Sequence, residues 1–318
     1  MNKQINKMKI GVIGMGPVGS ILAAHLIEAG VYVVVCDNGS DRINEIKKNG
    51  IVLKHSINKH IQVKETCSSL HQLKKYDVDL VIIAVKVTAL DQVLVELLDI
   101  ATDKMYVLCA QNGIGNELKV SKVCGEDKTL RMVINYAGNI NNDNTVNVSF
   151  FNPPNYVAAM LPQADHMAKK LSELLSSTGI ETKVSKNIQN YVWRKAILNA
   201  AISPICAITQ KTMKDVMSFP KTFKLVEGII DESIKVADME GIELGKNFRQ
   251  FCIQYLKKTG QHKPSMLIDF ESGRDTEIDF LNGKIVKYGQ KHYLPTPFNQ
   301  SVTALIHLLE YSNNNRSQ

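Results

Sequence analysis

Apolar residues along this chain fall into two regimes. In the first half they come as short β-branched runs bounded by glycine, and in the second they recur at helical spacing. Met8 to Ile13 (MKIGVI) reads as a buried parallel strand. Val18 to Ala29 carries a helical pattern that stops at Gly30, a C-cap. Val31 to Cys36 (VYVVVC) is a second strand and completes a βαβ unit. Val78 to Val85 and Tyr106 to Ala110 read as central strands, with a helix from Ala89 to Ile100 between them. This alternation predicts a doubly wound α/β fold, a parallel sheet with helices on both faces. Arg131 to Met160 holds β-branched runs around an Asn-rich turn (Asn139 to Asn144), a hairpin or meander. His166 to Thr178 reads as a helix and Glu181 to Val184 as a last strand. Beyond Asn187 the strand signals fade. Helical patterns then cover Tyr191 to Cys206, Phe223 to Glu240 and Asn299 to Tyr311, and the polar tail from Ser312 is expected to fray. The boundary falls after residue 186, giving domains 1–186 and 187–318, the second mainly α-helical.

Composition narrows the classes. With 318 residues, 44% hydrophobic and 22% charged, the chain has ordinary globular composition and length for two domains. The formal net charge is +7, spread along the chain, which suits attraction of an anionic substrate or a phosphate-bearing cofactor. No basic stripe interleaved with aromatics is present, so nucleic acid is not the expected partner. The six cysteines form no CxxC pair, a pattern of buried thiols in a reducing compartment. No apolar run approaches the roughly 18 residues of a membrane helix. Residues 1–7 (MNKQINK) lead into a strand and turn rather than a signal peptide, so the expected location is the cytoplasm.

The strand at Met8 to Ile13 runs into Gly14-Met15-Gly16-Pro17-Val18-Gly19, a GxGxxG loop opening a helix. Gly14 permits the tight turn, Gly16 lets backbone approach a pyrophosphate, and Gly19 lets the helix pack on the sheet. The helix N-terminus offers amides and partial positive charge to phosphates. The first domain is therefore read as a Rossmann dinucleotide-binding domain. Asp37, about twenty residues on, is placed to accept from a ribose 2′-hydroxyl and to repel a 2′-phosphate, which favours NAD(H). The plainer reading is that Asp37 starts a turn or caps the next helix. Arg42 lies close enough in sequence to receive a 2′-phosphate.

Three further constellations carry polar groups. Gln111-Asn112-Gly113 follows a strand end, where a doubly wound sheet lines its ligand crevice, although Asn-Gly is also a common turn pair. Lys195, Asn199 and Ser203 fall four residues apart within Trp193 to Pro204, so they share one face of an otherwise apolar helix. That face either meets solvent or has polar partners, because burial without partners is costly. The third is Ser265 to Asp269, then Gly273 to Asp279, then Asn282-Gly283. There Thr276 reads as a helix cap assisted by Asp279, and Glu277 either complements the helix dipole or accepts from a substrate hydroxyl.

Taken in order, the GxGxxG loop, QNG, W-x-K-x-x-x-N, and S-x-x-x-D with G-x-x-T-E-I-D-x-x-N-G resemble the ketopantoate reductase family (2-dehydropantoate 2-reductases) over Met8 to about Leu309. The resemblance implies a helical substrate and catalytic domain after the Rossmann domain. It implies reduction of a 2-keto acid, ketopantoate, to the D-2-hydroxy acid pantoate, a step of pantothenate biosynthesis. It implies Lys195 and Glu277 as catalytic residues, and Asn112, Asn199, Ser203 and Ser265 as substrate-binding. It implies Gly14 to Gly19, Lys86, Asn112 and Glu277 as cofactor-binding, beside Asp37, which is assigned from its position alone. Lys195 is the expected general acid, since desolvation brings a lysine toward the pH at which it exchanges protons.

Two departures stand out. Many relatives have asparagine where this chain has Ser203, and arginine where it has Asp37. The first leaves the keto acid open and the second agrees with NAD(H), while the resemblance leaves NADP(H) open. The alternative is an NAD-dependent D-2-hydroxyacid (D-mandelate-like) dehydrogenase of the same superfamily. A non-catalytic dinucleotide sensor fits less well, since it has no use for a proton donor. The expected partner is a small 2-keto acid, with no metal and no membrane. The helical domain is compatible with a homodimer.

Overall fold

Buried runs of valine, isoleucine and leucine set the strands of the first unit. The computed structural model describes Met8–Arg316, so the lysine-bearing segment 1–7 and the last two residues of the polar tail lie outside the described residues. The chain separates into two compact units, one running to Gln111 and resuming over Gly115–Ile188, the other made of Asn112–Ile114 and Gln189 onward.

The first unit begins with β1 (Lys9–Ile13), α1 (Pro17–Glu28), β2 (Tyr32–Cys36), α2 (Ser40–Asn49), β3 (Ile51–His55), β4 (Lys59–Ile61) and β5 (Glu65–Cys67). It continues with β6 (Leu80–Ile83), α3 (Leu90–Leu98), β7 (Tyr106–Cys109), α4 (Asn116–Cys124), β8 (Thr129–Val133), β9 (Tyr136–Ile140) and β10 (Val146–Phe151). β11 (Asn155–Ala159), α5 (Asp165–Ser177) and β12 (Thr182–Val184) complete it.

An eight-stranded sheet runs β12-β11-β8-β7-β6-β1-β2-β5. It is parallel except where β11 lies antiparallel to β8. The chain winds outward from β1 through β2 to β5, then returns to β6 and winds the other way through β7 to β8. Between β1 and β6 lies the topological switch point of a Rossmann-like sheet, where ligands bind beyond the strands' carboxyl ends.

A second sheet, β4-β3-β10-β9, forms apart from the first. Short periodicity hid its strands. β3 (IVLKH) has only three apolar residues before its lysine and histidine and β4 (KHI) only one, too few to read as strands. The Asn-rich turn does join a hairpin, β9–β10. α1 has contacts with strands of both sheets. Its residues from Gly19 to Leu26 are consecutively buried, the signature of a helix enclosed on all sides. Helix α1 is thus covered by a second sheet rather than by solvent.

The second unit contains α6 (Ile188–Thr209), α7 (Met213–Ser218), α8 (Pro220–Met239), α9 (Phe248–Lys258), α10 (Ser265–Glu271), α11 (Asn282–Lys291) and α12 (Pro297–Arg316). The tail from Ser312 does not fray at once. α12 carries through it to Arg316, where asparagine and serine continue a helix already built. α8 packs against α7, α9, α11 and α12. The loop Asn112–Ile114 groups with this unit, and the Ile114 N–H donates to the Phe280 carbonyl at 3.2 Å.

Candidate active site

In the first unit the glycine loop, Asp37, Lys86 and Gln111 follow β1, β2, β6 and β7, so they share the carboxyl edge of one sheet around its switch point. Each glycine of the loop has a distinct constraint. Gly14 sits at φ +91°, and a Cβ there would lie 2.6 Å from the Val85 amide nitrogen. A Cβ on Gly19 would lie 2.0 Å from the Gly14 carbonyl oxygen, so only glycine lets the first turn of α1 close on the loop. A Cβ on Gly16 would meet nothing within 4 Å. Gly16 is also the N-cap of α1, with Pro17 in the first turn and no side chain capping the amides. The loop thus leaves open space in front of an uncapped helix N-terminus, a cradle suited to phosphate.

Asp37 joins this loop directly. Its Oδ2 accepts from the Met15 N–H at 2.6 Å and its Oδ1 from the Gly39 N–H at 2.9 Å. It therefore does start a turn, as the plainer reading had it. Each carboxylate oxygen still has a second lone-pair direction for a hydroxyl donor. Lys86 is half-buried just after β6. Arg42 turns inward, with Nε on the Met15 carbonyl at 3.0 Å, NH2 on Ser20 Oγ at 3.0 Å and NH1 on the Asn144 carbonyl at 2.7 Å.

Behind β7 lies an ion pair that sequence reasoning missed. Arg131 of β8 and Glu117 of α4 are 2% and 1% exposed, with Nε and Oε2 3.3 Å apart. Arg131 NH1 also donates to the Gln111 carbonyl at 2.6 Å, and the Cys109 thiol to Gln111 Oε1 at 3.3 Å. Gln111 is thus held through both its backbone and its side chain. A buried pair contributes little net stability and serves better to fix geometry. The readable signal was the charge itself, an arginine inside the wholly buried strand TLRMV.

In the second unit Lys195, Asn199 and Ser203 occupy successive turns of α6. Lys195 and Asn199 are half-buried and Ser203 is 3% exposed, so the stripe sinks into the unit rather than facing solvent. Two contacts to α11 bracket Lys195 and Asn199. The buried Trp193 ring packs on Tyr288 with centroids 5.4 Å apart. Beyond Asn199, the Ala200 carbonyl accepts from Asn282 Nδ2 at 3.0 Å. Pro204, inside α6, has no N–H to give to that carbonyl, four residues back.

Asn282 in turn donates to Asn299 Oδ1 at 3.0 Å, and Asn299 Nδ2 donates to Glu232 Oε2 at 2.7 Å. Glu232 also accepts the Phe298 and Asn299 amides at 2.8 and 2.9 Å, capping α12. This ladder through α6, α11, α12 and α8 is buried, and only the NG pair of its sequence was singled out from the chain alone.

Glu277 is half-buried, immediately before the short 3-10 turn Ile278–Phe280. Thr276 Oγ1 accepts from the Ile278 N–H at 3.3 Å, but Asp279 does not assist it. Asp279 Oδ1 instead meets His307 Nε2 at 3.0 Å, and the Thr276 N–H that a capping box would give to Asp279 donates to Glu310 Oε1 at 2.8 Å. Ser265 is the first residue of α10 and is exposed. No group of histidine, cysteine or carboxylate residues able to hold a metal occurs among the described residues. No described helix is long and apolar enough to cross a membrane.

Known proteins match along most of the chain. A family model for ketopantoate reductase PanE/ApbA matches residues 10–160, and the model for its C-terminal part matches residues 187–310. A 2-dehydropantoate 2-reductase of Pyrococcus horikoshii is 30% identical over 309 residues, covering 94% of this chain and 96% of the relative. The solved ternary structure of D-mandelate dehydrogenase with NADH and anilino(oxo)acetate is 27% identical, with TM-score 0.87, covering 96% of this chain and 100% of its own. A PanE/ApbA family ketopantoate reductase from Ralstonia eutropha shares the fold at TM-score 0.88 and 23% identity, covering 96% of this chain and 100% of its own.

Proposed function

The chain belongs to the ketopantoate reductase (PanE/ApbA) family, and we propose that it reduces ketopantoate to pantoate, with Lys195 as general acid and NADH as the preferred cofactor. It is an oxidoreductase that uses a nicotinamide cofactor. The observation that carries the reading is the Lys195–Asn199–Ser203 stripe, sunk into the helical unit and braced by α11 at Trp193 and Ala200.

The glycine loop fits a dinucleotide, since Gly16 leaves the cradle open while Gly14 and Gly19 allow no side chain. Gly14 to Gly19 would hold the pyrophosphate, and Asp37 would accept from the adenosine ribose. Lys86 and Asn112 would contact the cofactor as well. When bound, the nicotinamide supplies the hydride. Lys195 gives a proton to the substrate's carbonyl oxygen, and its charge stabilises the negative charge growing there, a term of roughly 3–4 kcal/mol for one well-placed donor. Asn199 and Ser203 hydrogen-bond the substrate, and Ser265 binds its carboxylate region. Glu277 accepts from a substrate hydroxyl and so favours an acid that carries one.

Asp37 favours NADH for two reasons. It would repel a 2′-phosphate, and it stands where a cation would otherwise receive one. The NADH in the D-mandelate dehydrogenase structure accords with this. That likeness also favours a second reading, a D-2-hydroxyacid dehydrogenase with a bulkier substrate. The short Ser203 side chain is the specific feature in its favour.

Rates of NADH and NADPH oxidation with ketopantoate and with benzoylformate separate these readings. Fast NADH oxidation with ketopantoate is expected. Turnover with benzoylformate alone would move the protein to the second reading, and a preference for NADPH would overturn the role given to Asp37.

A further inference from the structure

The turn between β9 and β10 is heavily built for a surface hairpin. Thr145 donates to Asp143 Oδ1 through its N–H at 3.0 Å and its hydroxyl at 2.6 Å. Lys54 Nζ donates to Asp143 Oδ2 at 3.1 Å, and Asn141 Nδ2 to Thr145 Oγ1 at 3.1 Å. The Asn144 N–H closes the turn on the Asn141 carbonyl at 2.9 Å. Asn144 itself sits at φ +60°, a conformation asparagine tolerates better than most residues. This scaffold presents one carbonyl, that of Asn144, to Arg42 NH1 at 2.7 Å.

The other end of Arg42 grips the glycine loop. Nε donates to the Met15 carbonyl, which also accepts from Ser20 Oγ at 3.1 Å, and NH2 donates to that same hydroxyl. The Met15 N–H is held by Asp37. Both polar groups of the Met15 backbone are therefore fixed by side chains. The residue lies between two glycines, where the chain otherwise has the most freedom to lose on binding.

We infer that Arg42 is a positioning residue, a strut from the β9–β10 hairpin that holds the glycine loop in its phosphate-receiving shape, and that it does not read a ribose 2′-phosphate. The inference rests on the reading that this loop takes the dinucleotide. A guanidinium serving a 2′-phosphate keeps nitrogens free to fork onto it. Here three of the five N–H donors, one on each nitrogen, already end on protein oxygens, two of them backbone carbonyls, which fixes the group between hairpin and loop. The second sheet thereby acquires a function, since its hairpin tip buttresses the loop through one side chain.

The test is binding, measured as the dissociation constants of NADH, NADPH and ADP-ribose by calorimetry on the full chain. Arg42→Met should weaken all three by the same factor, roughly tenfold. Arg42→Lys, which keeps one donor, should recover part of the loss. Asp143→Ala alters an exposed side chain of the turn and should weaken all three by roughly threefold. It should add nothing in the Arg42→Met background, because the two residues act along one path. A loss confined to NADPH in Arg42→Met would overturn the strut and make Arg42 a 2′-phosphate ligand. So would an Asp143→Ala effect that is absent, or that adds fully to Arg42→Met. Gly16→Val separates the premise. Loss of binding there supports it, and full binding there overturns the loop reading itself and the strut with it.

Discussion

Asn282 Nδ2 donates at 3.0 Å to the carbonyl of Ala200, the acceptor that Pro204 leaves without its helical partner. A proline inside a helix ordinarily costs about 3 kcal/mol, much of it for that lost bond. Here α11 supplies the missing donor, one residue past Asn199 and five past Lys195. The geometry of the polar stripe on α6 therefore depends on a residue 82 positions away.

The link predicts a rescue. Asn282→Ala orphans the Ala200 carbonyl and Asn299 Oδ1, each at about 1–3 kcal/mol. Pro204→Ala restores an N–H within α6. The destabilisation by Asn282→Ala, read from urea midpoints, should be smaller in the Pro204→Ala background by about 1–2 kcal/mol. Simple additivity of the two substitutions would mean that proline and asparagine are unconnected.

The glycine loop predicts two different phenotypes. Gly16→Ala places its methyl in open space, so thermal stability should stay near that of the parent while affinity for NADH falls. Gly19→Ala drives a methyl against the Gly14 carbonyl and should lower both the melting temperature and the affinity. Melting curves with and without NADH distinguish them. Equal loss of stability in the two variants would contradict the assignment of the open space to a ligand.

Buried His25 predicts a pH dependence of stability. Its Nδ1 lies 2.7 Å from the Thr178 carbonyl, its ring stacks on Phe151, and its Nε2 is buried without a hydrogen-bond partner among the described residues. Burial lowers its pKa below the ordinary 6.5, more than the Thr178 carbonyl raises it. The unfolded chain then binds a proton that the folded chain refuses. His25 lowers no stability above pH 6.5 and costs progressively more as the pH falls from there toward the folded pKa. The urea midpoint should drop between pH 7.5 and 5.5, and His25→Gln should flatten that drop. Some slope will persist, because burial shifts His262 in the same direction. An unchanged slope in His25→Gln would remove His25 from the account.

How much of this was legible in the chain differs by kind of residue. β1, α1, β2, β6 and β7 were readable because central parallel strands are continuous apolar runs, and glycines mark their ends. Four-residue spacing marked Lys195, Asn199 and Ser203 as one helix face, and family resemblance added roles for them and for Glu277, although not their surroundings. β3, β4 and β5 escaped because strands of three to five residues, partly exposed and carrying the charged and polar residues of loops, leave no periodicity to read. Arg131 with Glu117, Asn282 with Ala200, and Arg42 with Asn144 also escaped. Each is a pairing of residues distant in sequence, and no local periodicity encodes the partner. Arg42 was read as a candidate for a 2′-phosphate because nearness in sequence was the only guide to its reach.

The most direct test of the central reading, reduction with Lys195 as proton donor, is the turnover of Lys195→Ala with ketopantoate and saturating NADH, measured beside its dissociation constant for NADH. The account predicts a fall in kcat on the order of 10²–10⁴-fold with NADH affinity little changed. Turnover within a few-fold of the parent, with the cofactor still bound, would contradict it.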